Sequence, residues 1–206
     1  MRATAHTLNI LLHPLFMPLL TVVVAFRMDP HISFFMPLAF QLLTFAMVFV
    51  LTVLFPLTTT LLLLRSGAIT GLSMPHRQER VIPFLMTLFY FTLCYYLLAH
   101  RTPQHEATLA MFLGALVALL LTTVITLRWK ISVHMVGIGG LLGALTGLLM
   151  LHHTFAPLEM ALFIVLAGAL GTARLLTSDH TPLQVGAGAL LGFACTYTCV
   201  AHLFFI

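Results

Sequence analysis

Seven stretches of this chain, residues 8–26, 33–64, 82–99, 107–127, 133–151, 156–173 and 182–205, are apolar over about the length a helix needs to cross a lipid bilayer. A hydrocarbon core of about 30 Å takes roughly 20 helical residues, and a backbone in lipid has no water to satisfy its N–H and C=O groups. Such runs therefore become helices. With 61% hydrophobic and 7% charged residues in 206, and no polar stretch longer than a dozen residues, the chain has room for one helical bundle and no soluble domain. The expectation is an all-α, polytopic transmembrane bundle of six to seven membrane helices, with residues 1–206 as a single domain. The second run is too long for one straight crossing, so it tilts, kinks near Pro37 or Pro56, or begins nearer Leu38. His13, Pro14 and Pro18 interrupt the first run, which predicts a kinked or partly re-entrant segment, retained because no small-x-small cleavage site follows it.

Seven crossings place the connectors alternately on two sides. The connectors holding Arg77 and Arg80, Lys130, and Arg174 follow crossings two, four and six, so all lie on the side of the N-terminus. The other side carries the mixed set Arg27, Asp29, Arg101, Glu106 and Glu159. Basic charge is thus focused on one face, which suggests an anionic ligand and not nucleic acid. Glycines recur at spacings of three to four residues in the last three runs, among them Gly139, Gly143, Gly147, Gly188 and Gly192. Small residues at that spacing let membrane helices approach closely, and close packing there would hold the polar connectors together.

Three clusters in those connectors carry chemistry. Arg77 and Arg80 stand three residues apart just before Pro83, and paired guanidiniums can fork around a phosphate. Lys130, Ser132 and His134 precede a Gly-rich run, where Ser132 and free amides at a helix start would hold phosphate oxygens and His134 would move a proton. In the third, Arg174 is followed by His180, Thr181, Pro182 and Gln184. Thr181 reads as a helix N-cap and Pro182 as the first helical residue, so His180 stands just ahead of a helix N-terminus with its dipole and free amides. Gln184, four residues on, has a side-chain oxygen that can accept from the imidazole and fix its tautomer. Each cluster taken alone also reads as an ordinary positive flank or polar loop at a membrane edge.

Together the three resemble the type 2 phosphatidic acid phosphatase family, the lipid phosphate phosphatases related to vanadium-dependent haloperoxidases. That family has the motifs K-x6-R-P, P-S-G-H and S-R-x5-H-x3-D on one side of a membrane bundle. Here the second is Ile131-Ser132-Val133-His134, keeping serine and histidine; the third is Ala173-Arg174, five residues, His180, three residues and Gln184 in place of the aspartate. The first is approximate in Arg77 to Pro83, and the resemblance spans residues 77–192. It implies a phosphatase whose nucleophile is His180, forming a phosphohistidine, with His134 as acid and then base. Arg77, Arg80, Lys130, Ser132 and Arg174 would hold the phosphoryl group, and Gln184 would orient His180 without the charge of a carboxylate. The implied substrate is a lipid phosphate or pyrophosphate of the undecaprenyl, phosphatidyl or lipid A kind, and the implied location is the cell inner membrane.

Two other readings compete. A transporter would line a pathway with His13, His134 and His180, and an inactive relative would bind anionic lipid without turning it over. No cofactor is expected, and the eleven histidines show no H-E-x-x-H or other recognised metal-ligand spacing. Cys94, Cys195 and Cys199 lie within apolar runs with no C-x-x-C pair and read as packing residues.

Overall fold

The computed structural model describes residues 2–34, 36–72, 74, 77–177 and 180–202. Helix α1 (Arg2–Leu11), a 3-10 turn (Pro14–Phe16) and α2 (Met17–Met28) build the first crossing, and a short α3 (Pro30–Ser33) follows it. The second crossing is α4 (Leu38–Val48), a π-helical stretch (Phe49–Leu54) and α5 (Phe55–Arg65). A 3-10 turn (Arg77–Arg80) leads into α6 (Val81–Arg101), and α7 (Glu106–Thr126), α8 (Val133–Leu151), α9 (Pro157–Leu176) and α10 (Pro182–His202) complete the bundle. Among the described residues seven helical segments are long and apolar enough to cross a membrane. The architecture is the expected all-α polytopic bundle.

Prolines shape the first two crossings. His13 precedes Pro14 and is extended (φ −66°, ψ 139°), the conformation a following proline ring favours, so α1 stops two residues earlier. The amides of Leu12 and His13 still bond back to Leu8 O and Ile10 O, but Pro14 has no N–H to continue the ladder. In the second crossing Pro56 would clash with the carbonyl four residues back in a regular helix. The wider π turn immediately before it relieves that clash, and the Thr60 hydroxyl donates to Pro56 O at 2.7 Å. The crossing also begins at Leu38, directly after Pro37.

The centre of the bundle is the pair α8 and α10, which run parallel because each starts on the N-terminal side. Their backbones touch. A Cβ built on Gly192 would lie 2.0 Å from Val136 O, on Gly139 2.2 Å from Ala189 O, and on Gly143 2.3 Å from Phe193 O. No side chain fits there. The Thr196 hydroxyl donates across the seam to Gly140 O at 2.7 Å, and Ser132 N–H donates to Gln184 O at 3.3 Å. This seam brings the first turn of α8, with His134, beside the first turn of α10. Other glycines of the spacing pattern have no such role: Gly168 and Gly186 face open space, and Gly137 packs on Met17 of α2.

Candidate functional site

One cavity of about 320 Å³ collects side chains from most of the bundle. At its polar end stand His13 from the break in the first crossing, Arg80 from the turn before α6, His134 from α8, Arg174 from the last turn of α9 and His180 from the residue pair before α10. Its walls are apolar, with Met17, Phe84, Phe91, Met111, Phe112 and Leu141 among them. Along α8 the lining runs from Val133 to Ala144, about 17 Å of helix rise. No described carboxylate lines it.

His180 is held by a capping box. The Thr181 hydroxyl accepts from Gln184 N–H at 3.4 Å, and Gln184 Oε1 accepts from Thr181 N–H at 3.1 Å. The same Oε1 accepts from His180 Nδ1 at 3.2 Å. An amide oxygen facing two donors is the only consistent orientation for Gln184, because its NH₂ group would meet them donor to donor. A neutral His180 therefore carries its proton on Nδ1 and leaves Nε2 as a lone pair. Burial lowers the His180 pKa to about 4, and the positive charges of Arg174, Lys130 and Arg80 add to this against the opposing Gln184 bond. At neutral pH the imidazole is uncharged.

His134 is anchored differently. Its Nε2 donates to Asn9 O at 3.1 Å, a carbonyl near the end of α1 that the Pro14 break leaves without its intrahelical partner. Nδ1 is then the nitrogen left for proton exchange. The His13 ring meets the His134 ring edge to face, with centroids 5.3 Å apart, and His13 Nδ1 accepts from Leu15 N–H at 3.4 Å. Arg80 and Arg174 are both buried, and Arg80 Nε donates to Met74 O at 3.0 Å.

Of the residues singled out in the sequence, Arg80, His134, Arg174 and His180 meet at this cavity. Gln184 stands behind His180 and does not line it, as a positioning residue should. Lys130 also lies off the lining, yet close enough for its charge to act on His180. Ser132 does not reach the cavity: it is fully buried, its N–H serves Gln184 O, and its hydroxyl makes no helix cap. The Arg77 side chain lies outside the described residues, though its backbone opens the 3-10 turn. At the start of α10 the expected free amides are largely spent, since Thr181 and Gln184 close the capping box and Pro182 has no N–H.

Beyond the expected roles of Thr181 and Gln184, the site contains the reciprocal Thr181–Gln184 bond and the Asn9 carbonyl. Thr181-Pro182-Leu183-Gln184 spells the capping-box pattern T-x-x-Q, a signal that was legible. Asn9 contributes a backbone carbonyl, for which side-chain motifs carry no signal. At the opposite end of the bundle Asp29, His31 and His152 bring potential metal-ligand atoms within 4.8 Å of one another. No protein-family model, curated protein or solved structure matches the chain.

Proposed function

We propose that this protein is a metal-independent lipid phosphatase of the cell inner membrane, acting on the phosphate monoester or pyrophosphate of a lipid. The observation that carries the reading is the composition of one cavity: three imidazoles and two buried guanidiniums at one end, continuous with apolar walls. A phosphate head on a hydrocarbon tail matches both halves.

His180 Nε2 attacks phosphorus while Gln184 holds the Nδ1–H, and the bond from phosphorus to the lipid or phosphate leaving oxygen breaks. His134, with Nε2–H given to Asn9 O, exchanges protons at Nδ1. Its cationic form protonates the departing oxygen, and its neutral form then takes a proton from the water that cleaves the phosphohistidine. Arg80 and Arg174, helped by the charges of Arg77 and Lys130, stabilise the charge on the transferred phosphoryl oxygens. The neutral state of His180 at pH 7 supplies the nucleophile without a carboxylate partner.

The test is phosphate release from an isoprenoid pyrophosphate and from a phosphatidyl phosphate by purified protein in detergent with chelator present. Release is expected from at least one of them and should fall by a factor of about 10³ or more in His180→Ala. Release that His180→Ala leaves unchanged would sink the mechanism. The amide at Gln184 favours a second reading, a relative that binds anionic lipid without turnover; orthovanadate binding with no phosphate release would select it.

A further inference from the structure

The end of the bundle away from His180 holds a second polar cluster that the phosphatase reading does not use. Asp29 caps the short helix α3: its Oδ1 accepts from His31 N–H at 2.9 Å and from His31 Nδ1 at 2.8 Å. Its Oδ2 accepts from Nδ1 of His152, the residue that ends α8. Asp29 is fully buried, whereas the His31 side chain is 60% exposed and that of His152 15%. The His31 and His152 rings lie 4.9 Å apart, and His105 meets His152 edge-on at 5.5 Å.

We propose that Asp29, His31 and His152 form a binding site for one divalent transition-metal ion of the zinc type. A buried carboxylate with an imidazole Nδ1 directed at each of its oxygens is a ready-made three-ligand set. Two imidazoles and one carboxylate suit zinc and its neighbours, whereas magnesium and calcium prefer all-oxygen sites. Bonds of 2.0–2.2 Å in a tetrahedral arrangement place ligand atoms about 3.3 Å apart. Oδ1 and the His31 nitrogen are now 2.8 Å apart and the whole set lies within 4.8 Å, so the ion needs that pair to open by about half an ångström and any pair near the 4.8 Å bound to close by about 1.5 Å, within reach of side-chain rotation. For the metal to bind, the proton on each Nδ1 must leave that nitrogen, and Nε2 of the same ring can carry it. The exposed side of His31 is the entry path, and water fills the fourth position.

Such an ion would join the corner after α2 to the far end of α8, positions 123 residues apart in the chain. Those two segments carry the scaffold of the cavity, since His134 lies in the first turn of α8 and α2 follows the 3-10 turn that begins after His13. The site is a clasp on the bundle, independent of whether the opposite end hydrolyses phosphate.

The full-length, untagged protein, stripped with chelator in detergent, is titrated with Co²⁺ while visible absorption is recorded, and Zn²⁺ is then added. One Co²⁺ per chain with ligand-field bands is expected, and Zn²⁺ should abolish the bands. Affinity should fall by about 100-fold in His31→Ala and in His152→Ala, at the upper end of what even indirect partners of a metal cost. It should be unchanged in His153→Asn, a control that keeps the left-handed backbone at that exposed neighbour (φ 52°). If His152→Ala does not yield folded protein, His31→Ala, whose ring is mostly exposed, decides the matter. Absence of bands, or equal binding by His31→Ala, overturns the site.

Discussion

Gln184→Glu places a carboxylate where an amide oxygen now accepts from His180 Nδ1 at 3.2 Å and from Thr181 N–H at 3.1 Å. Glutamate suits the third position of a capping box as well as glutamine does, and its charge is favoured at a helix N-terminus by about 0.3–1 kcal/mol, so the local fold survives. The electrostatics of His180 change sign. Unit charges about 4 Å apart in an effective dielectric near 20 interact by about 4 kcal/mol, equivalent to about 3 pKa units. Arg174, Lys130 and Arg80 compete for the new carboxylate, which brings the expected rise to roughly 1–3 units. In the native protein burial, reinforced by those cations, holds His180 at about 4, against a usual value near 6.5. The unfolded chain thus binds more protons between those values, and this contribution to stability is complete above pH 6.5 and lost as pH falls through 4. Over the full window it amounts to about 3 kcal/mol. In the glutamate variant the folded pKa moves up to roughly 5–7, and most of that pH dependence disappears. Imidazole NMR titration in micelles reads the pKa directly. A variant whose His180 still titrates at about 4 would refute the hydrogen-bond assignment and with it the neutral, Nδ1-protonated nucleophile.

The glycine seam yields a paired prediction. Gly192→Ala pushes a methyl to 2.0 Å from Val136 O and should cost about 1–3 kcal/mol or more by overpacking, while Gly186→Ala, with nothing within 4 Å, should gain about 0.5–1 kcal/mol from helix propensity. Unfolding of both in mixed micelles checks this, and equal stabilities would contradict backbone contact between α8 and α10. Thr196→Val removes the 2.7 Å bond to Gly140 O and should cost about 0.6 kcal/mol, at most about 1.7, by the same measurement; a stabilised variant would show that the bond contributes nothing.

The seven crossings were legible because burial in lipid writes itself into long apolar runs, and the breaks at Pro14 and before Pro56 were legible because proline removes a donor wherever it stands. The cluster of Arg80, His134, Arg174 and His180 was legible in outline from connector parity, which needs only the number of crossings. Side-chain aim was not. Ser132 and His134 are two residues apart, yet Ser132 is fully buried off the cavity and His134 lines it, because residues at that spacing do not share a helix face. Asp29, His31 and His152 were invisible for a different reason: no spacing rule spans the separation between the end of α2 and the end of α8.

His134 and His180 are each positioned by hydrogen bonds made at a helix end. Pro14 stops α1 and leaves Asn9 O without its helical donor, and in the membrane that carbonyl must find another; His134 Nε2–H supplies it, which sets the imidazole with Nδ1 as the free nitrogen. At the start of α10 Pro182 takes the first helical position, where no N–H is needed, and Thr181 and Gln184 close a capping box whose oxygen also fixes His180. The same hydrogen bonds that satisfy the broken helices thus select complementary tautomers, Nδ1–H on His180 and Nε2–H on His134. Glycine contact between α8 and α10 then brings the two helix starts to one end of a cavity with two buried guanidiniums. Replacing Pro14 by a regular helix former would restore a backbone ladder through the break and remove the constraint on His134, so this proline belongs to the chemistry of the site as much as to the shape of the bundle.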